Sequence, residues 1–348
     1  MARRLGRPAA LLLAAALLAA GGSAPAQAGA ERAGRTDPSA TELTVVWPDD
    51  AAVPRGARVT VSGTVSGGPR EVVLQHRSRQ RGWETLRALT SDQDGAWSLA
   101  VPTTWFTTHT LRVRAPETVS HDEGAAATNG RLAVEPGYDP LGLAASFTLS
   151  GYRWNPCQVI AYRVRGRRLP SGALPEVKRA LRLVAQATGL RFRYRGTSRQ
   201  VPWRDDEAAD VRRADLLIGW ATEREVPTLR GNVAGVGGVT RGVWSQVPGQ
   251  LLITDGMVAL DVDARAAAGF GAGWTRGELL LHEIGHAVGL GHFFADTAQI
   301  MAYATRDRDR FGAGDLAGLR MVGRSAGCLT EPDGGLARSA VLRPAPQV

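Results

Sequence analysis

Apolar and polar residues alternate in short runs from Leu43 to Ala115, as in Val59-Thr60-Val61-Ser62 and Trp97-Ser98-Leu99-Ala100-Val101. Gly, Pro and Asp punctuate the runs. A period of two puts every second side chain on one face of a strand, so residues 41–117 are expected to form an antiparallel β-sandwich. Asp94-Gly95, between the run ending near Leu89 and the one starting near Trp97, is a hairpin-turn signal. Residues 118–147 are rich in Ala, Gly, Pro and Asn with weak periodicity and read as a linker. Beyond them the pattern is mixed. A strand is expected near Val159 to Val164, then a helix from Pro175 to Thr188 with Val177, Leu181, Val184 and Ala185 on one face and Gly189 as its C-cap. Strands follow at Leu190 to Tyr194, Ala214 to Trp220 and Gln250 to Thr254, with a Gly-rich region through Gly235 and Gly238. The fold class is therefore α+β over residues 148–327, preceded by an all-β module and followed by a tail over residues 328–348.

Composition narrows the class without naming the function. With 348 residues, 44% hydrophobic and 22% charged, the chain has globular proportions and the length for two domains. The net charge is +9, but Lys178 is the single lysine among 42 basic residues, and the arginines are scattered among Asp and Glu. Such a pattern is a solvated surface and argues against nucleic-acid binding. Arg3, Arg4 and Arg7 precede an apolar run from Ala9 to Ala20, and Ala26-Gln27-Ala28 follows it, the three parts of a secretory signal peptide over residues 1–28. The run is shorter than the ~20 residues a membrane helix needs, so a secreted, extracellular protein without stable membrane association is expected. In an oxidising compartment Cys157 and Cys328 are expected to pair. Closing a loop of about 170 residues would contribute on the order of 4 to 5 kcal/mol through loop entropy; two unpaired buried thiols are the alternative.

The chemistry lies in one stretch, LLLHEIGHAVGLGH, ending at His292. Thr275 and Glu278 form a capping box that starts a helix, with Leu280, Leu281, Ile284, Ala287 and Val288 as its apolar surface. His282 and His286, four apart, fall on one face within reach of one metal ion, and Glu283 lies beside them. Gly289 can take the left-handed conformation that ends the helix and turns the chain back, bringing His292 to the same ion. Three neutral nitrogens with a fourth position open make a catalytic rather than a structural zinc site. The chain's other histidines, His76, His109 and His121, all precede the α+β region.

With these residues the sequence resembles the metzincin metallopeptidases, whose hallmark is H-E-x-x-H-x-x-G-x-x-H followed by a methionine turn. Ile300-Met301-Ala302-Tyr303 fits that turn. The spacing from His292 to Met301, the tail from Phe311-Gly312 to Leu319, and Trp154-Asn155-Pro156-Cys157 before a strand are similar to the matrixin branch in its bacterial secreted form. The resemblance spans roughly Gly151 to Gly327. It implies a twisted mixed sheet with an active-site helix and a C-terminal helix, after an immunoglobulin-like sandwich serving as a spacer or binding module. It also implies one catalytic zinc on His282, His286 and His292, with Glu283 as general base, and Met301 and Gly289 as structural supports. Peptide substrate would be added as a strand at a sheet edge near Val233 to Val239, and the chain would be a monomer acting on proteins or peptides. Tyr303 matches a tyrosine that related branches place near zinc. Phe293 departs from the residues that distinguish the named branches, no histidine remains for a second zinc, and neither cysteine has the flanks of a cysteine-switch propeptide. Asp255, Asp261, Asp263, Asp307 and Asp309 are candidates for calcium, with calcium-free surface loops the competing reading. The competing function is a secreted adhesion or wall-binding protein with an inert peptidase-like domain; an intact Glu283 and three histidines argue against it.

Overall fold

The alternation between Leu43 and Ala115 becomes a set of strands with one buried face. The computed structural model describes residues 40–125, 130–204, 214–302, 307–330 and 340–341. The signal peptide over residues 1–28 and Tyr303 lie outside the described residues. The N-terminal part contains β1 (Ala52–Pro54), β2 (Thr60–Thr64), β3 (Glu71–Ser78), β4 (Gly82–Thr90), β5 (Ala96–Ala100), β6 (Thr107–Ala115), β7 (Gly124–Ala125) and β8 (Gly130–Glu135). One sheet runs in the order β1-β8-β6-β3-β4, with β7 also on β6; β2 and β5 form a separate antiparallel pair. Between them Val61, Val72, Leu74, Leu99, Leu111, Val113, Leu132 and Val134 are buried in one core.

Two expectations are corrected here. Asp94-Gly95 does form a turn, with Gly95 at φ 81°, but β4 and β5 on either side of it are not partners. β4 pairs with β3 and β5 with β2, so the chain turns a corner between sheets. The segment read as a linker contributes β7 and β8, and Leu132 and Val134 fill the core. Their two-residue alternation is hidden among Ala, Gly and Pro.

The second part comprises β9 (Thr148–Leu149), β10 (Tyr152–Arg153), β11 (Val159–Arg165), α1 (Ala173–Thr188), β12 (Arg191–Ser198), β13 (Leu216–Ala221), β14 (Gly235–Trp244), β15 (Leu251–Asp261), α2 (Arg276–Val288), β16 (Leu290–Gly291), α3 (Ala313–Val322) and β17 (Ala340–Val341). Its sheet is ordered β12-β11-β13-β15-β14-β17, with β10 also on β15. It is mixed: β11, β12, β13 and β15 run parallel, and β14 is antiparallel to β15. Val177, Leu181 and Val184 of α1 share a core with Leu280, Leu281 and Ile284 of α2 and with Leu316 and Leu319 of α3. The protein is thus a mixed α+β structure dominated by sheet. Among the described residues no helix is long and apolar enough to cross a membrane.

The all-β module is more than a tethered spacer. Phe106, at the start of β6, is buried in the core of the α+β part, and its N–H donates to Gln186 O of α1 at 2.7 Å. Trp105 Nε1 donates to Ser325 Oγ at 3.3 Å, and the Thr107 and Ser325 hydroxyls bond at 2.7 Å. Beneath them His109, 1% exposed, stands edge-on to Trp105 and bonds Pro102 O through Nε2. Arg153 spans the same boundary, donating to Gly327 O and Gln80 Oε1. Cys157 and Cys328 are joined in a disulfide with Cα atoms 5.5 Å apart across 171 residues of sequence. All of this lies within one compact unit, Pro38–Val348.

Candidate metal centre

The helix that carries the motif is set from both ends. Thr275 caps α2, its hydroxyl accepting the Glu278 N–H at 3.2 Å. Arg276, in the first turn, forks onto Glu176 of α1 through Nε and Nη2, both at 2.8 Å, and Glu176 also accepts the Gly269 N–H at 2.7 Å. A bidentate pair of this kind fixes orientation as well as attraction. At the far end Gly289 has φ 114°, and its N–H closes the helix on His286 O. A side chain there would also strike Tyr152 O, 2.3 Å from an ideal Cβ. The chain then enters β16, which pairs antiparallel with β9, Leu290 opposite Leu149 and Gly291 opposite Thr148. That two-residue pairing aims His292 back at the helix.

The result brings the three sequence-predicted ligands together. The Nε2 atoms of His282, His286 and His292 form a triangle with sides of 3.1, 3.2 and 3.1 Å. Their other nitrogens decide what this means. His282 Nδ1 lies 2.7 Å from Ile300 O and His286 Nδ1 lies 3.0 Å from Leu290 O. A carbonyl accepts only from N–H, so both rings carry the proton on Nδ1 and neither Nε2 can donate to the other. Lone pairs crowded at this distance repel unless a cation lies among them. Four-coordinate zinc with bonds of about 2.0–2.1 Å would hold its nitrogens about 3.3 Å apart, close to what is found. Burial lowers all three imidazoles, His282 to about 4, so each is in the neutral, ligating form at pH 7. The three histidines therefore fit a metal ion. Among the described residues they are the one group of three ligand-bearing side chains close enough to do so; Asp255, Asp261, Asp263, Asp307 and Asp309 do not assemble a second.

Glu283, next to His282 in the chain, packs against Gly235 and Gly237 of β14. It is 3% exposed, and burial pushes its carboxyl up to about 8 against a hydrogen bond from the Gly237 N–H. A cation among the neighbouring imidazoles would return it towards the carboxylate. The closeness of α2 to β14 depends on glycine: a Cβ on Gly237 would lie 2.0 Å from Glu283 O, and one on Gly235 would lie 2.8 Å from Glu283 Oε1. This explains the Gly-rich stretch that hydrophobic periodicity leaves blank.

Met301 lies beneath the histidines. It is 2% exposed, and its sulfur packs on the Gly285 backbone between His282 and His286, while its carbonyl accepts the Phe293 N–H at 3.0 Å. What holds this turn is a residue the motif does not contain. Asp315 of α3 accepts N–H bonds from Ile300 (2.6 Å), Met301 (3.1 Å) and Gly312 (2.9 Å). Gln299, fully buried, accepts from the Asp315 N–H and donates to Asp296. Ile300 thus links Asp315 to His282, one residue serving both. The available signal was an acidic residue in the first turn of a helix, which on its own reads only as a cap. Trp154 closes the back of the site, its Nε1 donating to Ala287 O at 2.9 Å. No protein-family model matches the chain, and no curated protein matches it.

Proposed function

We propose that the protein is a secreted zinc endopeptidase of the metzincin type, in which Glu283 is the general base. The observation that carries this reading is the combination on one helix. Three imidazole nitrogens converge, two of them with their protons held on the far side by backbone carbonyls, and a buried carboxyl on the same helix faces a glycine-lined sheet strand. A closed structural site would use a fourth protein ligand and would have no need of that carboxyl. Zinc bound to His282, His286 and His292 would supply Lewis acidity and a nucleophile at neutral pH. The chain's own groups do the rest. Ile300 O and Leu290 O hold the imidazole tautomers and raise the basicity of the ligating nitrogens. Glu283 takes a proton from the attacking water and delivers it to the leaving amine. The edge of β14 offers backbone groups to an extended peptide, which adds as a further strand.

The test is hydrolysis of quenched fluorescent casein by full-length mature protein, comparing wild type with Glu283→Ala after matched zinc loading. Both proteins should hold about one zinc. Wild type should be active, and the variant should lose at least about 10³-fold with its zinc retained. A variant as active as wild type would remove Glu283 from the mechanism. Inactivity of both with zinc bound would favour the binding-protein reading.

A further inference from the structure

A cavity of about 300 Å³ opens where the β-module meets the α+β part, at the lower end of the range that ligand pockets occupy. Gln80 and the exposed Arg79, in the turn between β3 and β4, line it from one part, and Arg153 and Gln250 from the other. Tyr152, Met321 and Val322 give it an apolar wall. Arg153 is 1% exposed, yet its guanidinium meets only neutral acceptors: Gly327 O at 2.7 Å, Gln80 Oε1 at 2.6 Å and Gln250 Oε1 at 3.4 Å. Two of those acceptors belong to residues of the cavity wall, which puts the charge at the cavity. Arg165, equally buried, forks onto Glu225 at 3.1 and 2.7 Å, as a charge taken out of water requires. Among the described residues no carboxylate lies within ion-pair distance of Arg153. Glu84, the acid whose field reaches it, accepts the Cys328 N–H and stands 3.8 Å from His76. Burial lowers the guanidinium to about 10, so it stays charged at neutral pH.

We propose that this cavity binds a small monoanion with a carboxylate head and an apolar body, its carboxylate held by Arg153. A guanidinium has five N–H donors, and the three bonds above leave donors for an anion. Its planar fork matches a carboxylate. One buried positive charge balances one negative charge, whereas a dianion would carry an excess charge against the apolar wall. The side chains of Tyr152, Met321 and Val322 suit an aliphatic body instead. With their oxygens turned to Arg153, Gln80 and Gln250 keep their NH2 groups as further donors to the head. An N-acylated amino acid, or the last residue of a short peptide, has this form. The cavity shares no lining residue with the cluster of His282, His286 and His292, and its ligand needs no metal.

Titration calorimetry of the full chain with N-acetyl-L-leucine, its uncharged amide and inorganic phosphate tests this. The acid should bind saturably, with a Kd of about 1 mM or tighter. The amide and phosphate should each bind at least about 10-fold more weakly. Two variants locate the site. Arg153→Met removes the charge and should bind acid and amide alike; Met321→Trp fills the cavity, leaves Arg153 in place, and should weaken the acid at least about 10-fold. Thermal denaturation establishes that each variant is folded, and if Arg153→Met is not, the acid–amide comparison and Met321→Trp decide. Equal affinity for acid and amide in wild type overturns recognition of a carboxylate, and phosphate binding as tightly as the acid overturns the monoanion with an apolar body. Undiminished binding to Met321→Trp, or acid preference retained by folded Arg153→Met, places the ligand elsewhere and overturns the site. Absence of saturable binding overturns the proposal outright.

Discussion

A carboxylate fourteen residues downstream holds the methionine in place. Asp315 accepts three backbone N–H bonds while 1% exposed, and its neighbour Ile300 carries the carbonyl that sets the His282 tautomer. Asp315→Asn keeps the shape but puts an NH2 group where an acceptor is needed. Unfolding free energy should fall by about 2–3 kcal/mol and zinc affinity by about 10-fold, read by thermal denaturation and by competition with a chelator. His109 gives a second residue-level expectation, in pH. Burial lowers it to about 4, whereas an unfolded histidine titrates near 6.5. Between those values the unfolded chain binds the extra proton, so stability rises with pH. The neutral ring's contribution is complete above about pH 6.5 and is lost as pH falls through about 4, on the order of 3 kcal/mol in all. His109→Gln, which keeps a donor for Pro102 O, should flatten that limb of a denaturation-versus-pH curve. The three converging histidines and Glu283 were legible from spacing alone because they sit within eleven consecutive residues on one helix and one turn. Asp315, Gln299 and Trp154 were not, because their roles exist only after distant elements pack.

At the scale of elements, the position of α2 over β14 sets the distance from Glu283 to the sheet edge. Gly237→Ala would place a methyl 2.0 Å from Glu283 O, backbone against backbone, with no rotamer to relieve it. Stability should drop by about 1–3 kcal/mol, and the displaced helix should reduce kcat by at least about 10-fold, since misplacement of about 1 Å at a reacting centre costs more than that. A folded Gly237→Ala protein with unchanged kcat would show that this approach does not position the base. Helices were the most legible elements. Val177, Leu181 and Val184 and the cap at Gly189 placed α1 to within two residues at its start. Strand pairing was the least legible: Asp94-Gly95 marks a turn, but a turn is local and its strands' partners are chosen by the core, which sends β4 to β3 and β5 to β2. β14 escaped for another reason. Its pattern is glycine, selected by a helix that lies about forty residues further along the chain.

For the molecule as a whole, the insertion of Phe106 into the core of the α+β part makes the two parts share a foundation. Phe106→Ala should therefore cost about 3–5 kcal/mol, and wild type should unfold in one calorimetric transition that the substitution shifts as a unit. Two separate transitions, with only the β-module's moved, would mean that the parts fold independently. Composition and periodicity mark the alternating strands of the N-terminal part and the mixed pattern after it, yet nothing in either pattern marks an aromatic residue as belonging to its neighbour's interior. The disulfide has a different reach. Cys157 and Cys328 enclose α2, the third histidine and the turn at Met301 between them. A backbone cut anywhere in that span leaves two pieces that remain covalently one molecule, so the protein can be nicked in its loops and keep His282, His286 and His292 together. Such damage would go unseen until the bridge is reduced.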